Sequence, residues 1–289
     1  MINLKNARNL LNAKYRKRYL NEIKIAKAAV EPIKRGITPI LIHQMGKVGS
    51  TTLVNSINQS SLENPAFHTH FITKPGIRVN WAVETQNYSN NAIPKHLMMG
   101  IELEKLLIDH PDQEILIICS VRELIARQVS MIYQAPFLAE KNIRNQRRQI
   151  DPVLASSYLN KFIEQKNAFN YPHKWFKEEL LDAFGIDVFA HEFDTDKGLS
   201  IIEKGKIKLM LIRMNKINEF LPNEISQFLG AEKPIQVVHK NVRKASGYEE
   251  TQKLIKLDPD LLDRIYRLPF MTHFYSEKER ESFKNKWSI

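Results

Sequence analysis

Cysteine occurs once in the 289 residues, at Cys119, so the chain can close no internal disulfide and offers no Cys-based zinc spacing. A reducing compartment is the expectation that follows. Long apolar runs are missing as well. Nowhere do about 18 apolar residues stand together to span a bilayer, and the N-terminus lacks the apolar centre of a secretory signal. The chain is therefore expected to be cytoplasmic. Negative charge is in short supply too, with 32 acids against 43 Lys and Arg and a formal net charge of +11. A surplus of that size predicts attraction to anions, whether nucleotide, polyanionic substrate, nucleic acid or lipid surface, without choosing among them. What is present is enough apolar side chain, 43% of residues, to fill a sizeable core.

The surplus is concentrated at one end. Ten Lys and Arg lie between Met1 and Arg35, against Glu22 and Glu31 alone. Residues 3–30 contain neither proline nor glycine, and Leu4, Leu11, Tyr15, Ile23 and Ala26 recur at helical spacing. With Ala7, Leu10, Leu20 and Ile25 counted in the same apolar set, the pattern predicts a basic amphipathic helix, closed by Pro32 and Gly36, within an extension covering residues 1–36. Two placements suit it: peripheral contact of residues 1–35 with an anionic inner-membrane face, or packing on the domain that fills residues 37–289.

That domain reads as alternating strands and helices. Short buried strands are expected at 38–44, 66–72, 114–120, 186–190 and 207–213. Helices are expected at 94–108, 123–133, 152–165, 172–184, 215–229 and across 259–287, with a loop at 73–92 carrying Trp81 and Tyr88. The order predicts an α/β class, three-layer fold in which a central parallel sheet is flanked by helices, with a helical C-terminal part.

The first strand runs directly into Gly46-Lys47-Val48-Gly49-Ser50-Thr51-Thr52 and then a helix. A glycine turn between strand and helix aims consecutive backbone N–H groups at one spot, where the helix dipole adds positive charge. Gly46 and Gly49 permit the turn, Lys47 supplies a charge, and the three hydroxyls can donate to phosphate oxygens. The nucleoside-triphosphatase pattern GxxxxGK[ST] is not met, because Lys47 precedes Gly49 and does not directly precede the hydroxyl residue. The strand 114–120 brings Arg122 to its carboxyl end, where ligands of open α/β sheets bind, and Ser130 follows eight residues later on the next helix. Further on, Arg243-Lys244 forms part of a basic segment, 239–248.

These two motifs resemble the phosphate sites of sulfotransferases that use 3′-phosphoadenosine 5′-phosphosulfate (PAPS), whose domain is P-loop-like. The resemblance implies that Lys47 meets the oxygen bridging phosphate and sulfuryl group, that Gly49, Ser50, Thr51 and Thr52 hold the 5′-phosphate, and that Gly46 and Val48 belong to the same cofactor-binding loop. It also implies that Arg122 and Ser130 hold the 3′-phosphate. Where many members carry proline before the lysine, this chain has Gly46. Arg243-Lys244 resembles the Arg-Lys-Gly loop of some members, with Ala245 in place of glycine.

Over residues 38–287 the chain looks like the bacterial sulfotransferase-like group labelled "putative capsular polysaccharide synthesis protein". The resemblance includes His68-Thr69-His70-Phe71, Phe184-Gly185-Ile186-Asp187-Val188, Phe274-Tyr275-Ser276 and Trp287. It implies transfer of a sulfuryl group to a hydroxyl of a polysaccharide or lipid-linked glycan, with no metal and no nucleic-acid partner.

Such a transfer needs a base for the acceptor proton, and neutral imidazole suits the task. Candidates are His43, His68 and His70; the last two are a strand repeat apart and share a face. Alignment with the catalytic strand of heparan-type sulfotransferases favours His68, with His70 second. Two other classes remain open: a P-loop phosphotransferase or nucleotide kinase, and a non-catalytic polyanion-binding protein.

Overall fold

The computed structural model describes residues 13–87, 94–134, 143–145, 149–238 and 247–289. Helix α1, Ala13–Lys34, carries Pro32 within its last turn, so the helix passes the proline expected to stop it and turns at Gly36, whose φ is +88°. Strand β1 is Ile40–His43, helix α2 Ser50–Asn58, β2 Ala66–Thr69, α3 Lys74–Asn87, α4 Lys95–Asp109, β3 Ile115–Val121 and α5 Leu124–Gln134. Helix α6, Pro152–Ile163, follows, N-capped by Asp151, whose carboxylate accepts from the N–H groups of Val153 and Leu154. Then comes α7, Asn170–Phe176 continued through a π turn, Lys177–Leu181, to Asp182–Phe184.

Two expectations fail here. Residues 74–87 are not a loop, because α3 occupies them; Pro75 and Gly76 in its first turn hid a helix that buries Ile77, and residues 88–92 of the expected loop lie outside the described residues. Residues 186–190 are not a strand: Val188–Ala190 is a single 3₁₀ turn, started by Asp187, whose carboxylate accepts from the N–H of Phe189.

The sheet is completed by β4, Leu199–Lys204, and β5, Ile207–Arg213, a hairpin closed at Gly205 with φ +58°. The strand β4 was not anticipated. As an edge strand it buries Leu199 and Ile202 and exposes most of its other positions, so it lacks the continuous apolar run of an internal parallel strand. Strand order is β2-β1-β3-β5-β4, with β4 antiparallel to β5 and the other neighbours parallel.

Alternate residues feed opposite faces. Leu41, Ile117, Cys119, Leu209 and Leu211 belong to the larger core, with α4, α5, α6 and α7. Ile40, Ile42, Ile118, Met210 and Ile212 pack with Leu53 and Ile57 of α2 and with Ile217, Phe220, Leu221 and Ile225. The result is the expected three layers. The expected helix at 215–229 is interrupted by a π turn at Leu221–Ile225, where Pro222 falls. After α8, Tyr248–Leu254, the expected terminal helix across 259–287 is three: α9, Pro259–Tyr266, α10, Pro269–Phe274, and α11, Glu277–Trp287. Pro269 and the Ser276–Glu279 capping box start new helices inside the periodic stretch.

Chain direction reverses at β1. The connection from β1 leads to β2 on one side, while β3 lies on the other side and leads toward β5. The carboxyl ends of β1 and β3 therefore border a topological switch point, where a crevice forms between diverging connections. Close packing beside this end tolerates no added volume: a Cβ at Gly100 of α4 would stand 2.2 Å from the carbonyl oxygen of Phe71. Gly100→Ala is expected to lower stability by about 1–3 kcal/mol, read as a reduced midpoint in urea unfolding at unchanged slope.

Candidate functional site

The turn after β1 is built by three tethers. Arg127 Nε donates to the carbonyl of Gly46 at 3.0 Å, Arg122 Nη1 to that of Lys47 at 3.2 Å, and Ser120 Oγ to that of Val48 at 2.6 Å. No peptide among the described residues is cis, and in a planar trans peptide the N–H points opposite to the C=O. Holding three successive carbonyls toward β3 and α5 therefore turns the N–H groups of Lys47, Val48 and Gly49 the other way. The turn continues into α2, whose N-cap Gly49 makes no side-chain cap and whose first turn carries no acid. Consecutive outward amides and an uncapped helix start make an anion-binding concavity.

The left-handed backbone falls at Lys47, φ +74°, and Gly49, φ +98°. Gly46 does not adopt it, so the expected role for both glycines holds for Gly49 alone. Lys47 is the one non-glycine residue with positive φ among those described, a strain of roughly 1–2 kcal/mol that the tethers hold in place. A Cβ at Gly49 would also lie 2.6 Å from Ile217 Cδ1 and 2.9 Å from Met214 Cγ, whereas one at Gly46 would meet only Met131 Cε at 3.7 Å.

Four cations from separate elements converge here. Lys47 is half-buried, and burial first, then Arg122 and Arg127, hold its ammonium below the usual lysine range. Arg122 at the end of β3 also donates from Nη2 to the Tyr248 hydroxyl at 2.9 Å. Arg127 is buried and stacks on the Tyr171 ring at 5.0 Å. The side chain of Lys286 of α11 is exposed and lies over the Trp287 ring, 4.3 Å from its centre; partial desolvation there lowers its pKa, and it feels the charges of Glu123 and Arg122.

Arg127, Tyr248 and Lys286 were not among the residues singled out from sequence. Arg127 had one signal, a second arginine on the helix following Arg122; Lys286 had none, being 164 positions from Arg122. Ser130 is half-buried on α5, close to one turn beyond Arg127. Ser50, Thr51 and Thr52 form the first turn of α2. Arg243 and Lys244 lie outside the described residues, as does Tyr88. The chain returns from 239–246 at Gly247, whose carbonyl accepts from the Tyr133 hydroxyl at 2.8 Å, directly before Tyr248.

Beneath Arg122, the buried Glu123 accepts from the N–H groups of Ile125 and Ala126, both at 2.7 Å, and from the Tyr266 hydroxyl at 2.9 Å. Burial nevertheless raises its pKa.

The histidines occupy the adjoining carboxyl ends of β1 and β2, His43 closing β1 and His68 and His70 at the end of β2. His43 has no available ring nitrogen: Nδ1 meets Thr69 Oγ1 at 2.9 Å and Nε2 the carbonyl of Glu179 at 3.1 Å. Burial drives its pKa to about 3. Nδ1 of His70 is 2.6 Å from the carbonyl of Gln44. A carbonyl only accepts, so the proton sits on Nδ1 and the lone pair on Nε2. His68 stacks edge-on against His70 at 4.5 Å, and its buried Nε2 has no hydrogen-bond partner. The His70 ring also stands 5.8 Å from His96, which bonds Glu84 at 2.9 Å. Burial is the first cause of the low values for both, about 3 for His68 and about 4 for His70. Among the described residues no three His, Cys, Asp or Glu side chains are placed to hold a metal ion.

Residues 149–276 match the model of a family described as "putative capsular polysaccharide synthesis protein". The match covers less than half of the chain, from the approach to α6 to the start of α11, and begins downstream of the β1 turn, Arg122 and Ser130. Within the capsular-polysaccharide match lie Tyr171, which stacks on Arg127; Glu179, which accepts from Ile72 and Thr73; Tyr248, which accepts from Arg122; and Tyr266, which donates to Glu123. No curated protein and no solved structure matches the chain.

Two outcomes follow from this geometry. Gly49→Ala is expected to cost about 1–2 kcal/mol or more, and Gly46→Ala less than about 0.5 kcal/mol, compared by thermal unfolding. The second concerns pH. His43, His68 and His70 are depressed from 6.5 to about 3, 3 and 4, so the unfolded chain binds more protons between those values. Their contribution is complete above about pH 6.5 and is lost as the pH falls toward 3. Glu123 and Glu179, raised by burial, oppose that slope. His68→Asn is expected to remove up to one proton from the pH dependence of urea-unfolding stability between about pH 4 and 6.5.

Proposed function

We propose that this protein is a sulfotransferase that moves the sulfuryl group of PAPS to a hydroxyl of a polysaccharide or lipid-linked glycan. The observation that carries the reading is the β1 turn, with three outward amides beside Lys47 and Arg122. The family match over residues 149–276 supports a glycan as acceptor.

PAPS, when bound, supplies an activated sulfuryl group. The amides of Lys47 to Gly49 and the hydroxyls of Ser50, Thr51 and Thr52 hold its 5′-phosphate. Arg122 and Ser130 hold the 3′-phosphate, and Arg243 and Lys244 belong to the segment that returns beside it at Gly247. Arginine suits this position because its planar fork can donate twice to one phosphate. Lys47 places its ammonium on the oxygen that becomes the leaving group, where negative charge grows as the sulfur–oxygen bond breaks.

Between the two histidines named as base, the tautomer favours His70. Its Nδ1 proton is committed to Gln44, so Nε2 can take the acceptor's proton as the new oxygen–sulfur bond forms. At neutral pH the ring is uncharged and ready; anionic groups arriving in the neighbouring turn raise its proton affinity. His68, stacked on it, limits its rotation.

Isothermal calorimetry with 3′-phosphoadenosine 5′-phosphate tests the reading, with ATP as control. Wild type is expected to prefer the bisphosphate. Lys47→Ala and Arg122→Ala are each expected to weaken binding about tenfold to a hundredfold, the worth of one charged hydrogen bond. No binding, or equal binding of ATP, would overturn the reading and favour a phosphotransferase or a non-catalytic anion binder.

A further inference from the structure

The inner face of α1 is fully used. Ala26, Val30 and Ile33 are buried in the domain, and Tyr19 and Ile23 pack with Trp81 against Met98. Its two acids are committed as well, Glu22 to Lys95 at 2.9 Å and Glu31 to Lys34 at 2.7 Å. What remains outward is cationic: Arg16, Lys17, Arg18, Lys24 and Lys27 are all exposed. Between them stand Leu20 and Ile25, each 50% exposed. Packing on the domain accounts for the first face and leaves the second unexplained.

The geometry points to that outward face as the surface by which the protein lies on an anionic lipid bilayer. Cations attract the headgroups, and a leucine and an isoleucine among them enter the boundary between headgroups and acyl chains. An anionic glycan would satisfy the cations but gives two exposed aliphatic side chains little to bury. No helix among the described residues is long and apolar enough to cross a membrane, so the attachment is to the surface. The helix that carries this face adjoins the candidate site through its opposite, domain-facing side. Glu22 holds Lys95 at the start of α4, and the next residue, His96, stands against His70. Seating α1 on lipid thus brings the histidine end of the site near the bilayer, where a lipid-linked hydroxyl would be presented. The membrane contact itself does not rest on the sulfuryl-transfer reading.

Co-sedimentation of the full chain with vesicles tests it, using phosphatidylglycerol mixed with phosphatidylcholine, phosphatidylcholine alone, and dextran sulfate as a lipid-free polyanion. Binding to the mixed vesicles and not to phosphatidylcholine alone is expected, whether or not dextran sulfate is also bound, weakening as salt is raised. The triple variant Lys17→Gln/Lys24→Gln/Lys27→Gln should bind about a hundredfold more weakly, near fivefold for each cation removed. Leu20→Ser/Ile25→Ser should also weaken vesicle binding while leaving any dextran sulfate binding unchanged. All these positions are exposed, so unchanged thermal unfolding is expected and separates lost binding from lost fold. The inference is overturned if mixed vesicles are not bound at low salt, if the triple variant binds like wild type, or if dextran sulfate is bound and vesicles are not. Calorimetry with 3′-phosphoadenosine 5′-phosphate on the triple variant should match wild type, so failure of the membrane contact and failure of the nucleotide reading are told apart.

Discussion

Three hydrogen bonds into one turn organise this protein. A strand-to-helix connection with two left-handed residues would be free to rotate its peptides in isolation, and with them its donors. Here Arg127, Arg122 and Ser120 grip the carbonyls of residues 46, 47 and 48 from behind, so the donors are aimed before any anion arrives. Preorganised dipoles bind and stabilise charge without the cost of turning at the moment of need. The strain at Lys47 becomes intelligible on the same basis, as a conformation that its surroundings impose.

The arginines that hold the turn must themselves be held, and the C-terminal helices do this. Glu123 closes the start of α5 and receives the hydroxyl of Tyr266, tying α9 to the residue next to Arg122. Tyr266 stacks on Phe283 of α11. Arg213 at the end of β5 pairs with Glu279 of the same helix and lies against Tyr275. Trp287 is fully buried, and its carbonyl accepts from the N–H of Leu257 at 2.8 Å. The last thirty or so residues are thus the support of a site whose donors come mostly from the first half of the chain. That division agrees with a family match that lies downstream of the turn and covers much of its support.

The histidines show how burial separates residues of one type. His43 uses both ring nitrogens inside a cage of Trp175, Phe184 and Glu179, which makes it a packing element. His70, with one nitrogen committed and the other available, is the one of the three whose environment defines a tautomer suited to accept a proton. Glu179 ties this region to the core: its carboxylate accepts from the N–H groups of Ile72 and Thr73 and the hydroxyl of Thr73, anchoring the exit from β2.

Local chemistry was legible in the sequence. The buried runs of β1, β3 and β5, the Gly-Lys-Val-Gly turn, the arginine closing β3 and the histidine pair all follow from spacing and residue type within about ten positions. The polar edge strand β4 and the helix α3 were not, because an element that buries few of its positions carries a weak periodic signal. Nor could spacing show which backbone would be left-handed, since Lys47 takes that conformation under forces from residues 73 and more positions away. Tertiary structure alone decided that Tyr248 and Lys286 join Arg122, and that His70 and not His43 keeps an available nitrogen. The reason is physical: residue type sets what a side chain can donate, accept or bury, whereas the order of strands in the sheet sets which distant side chains come within its reach.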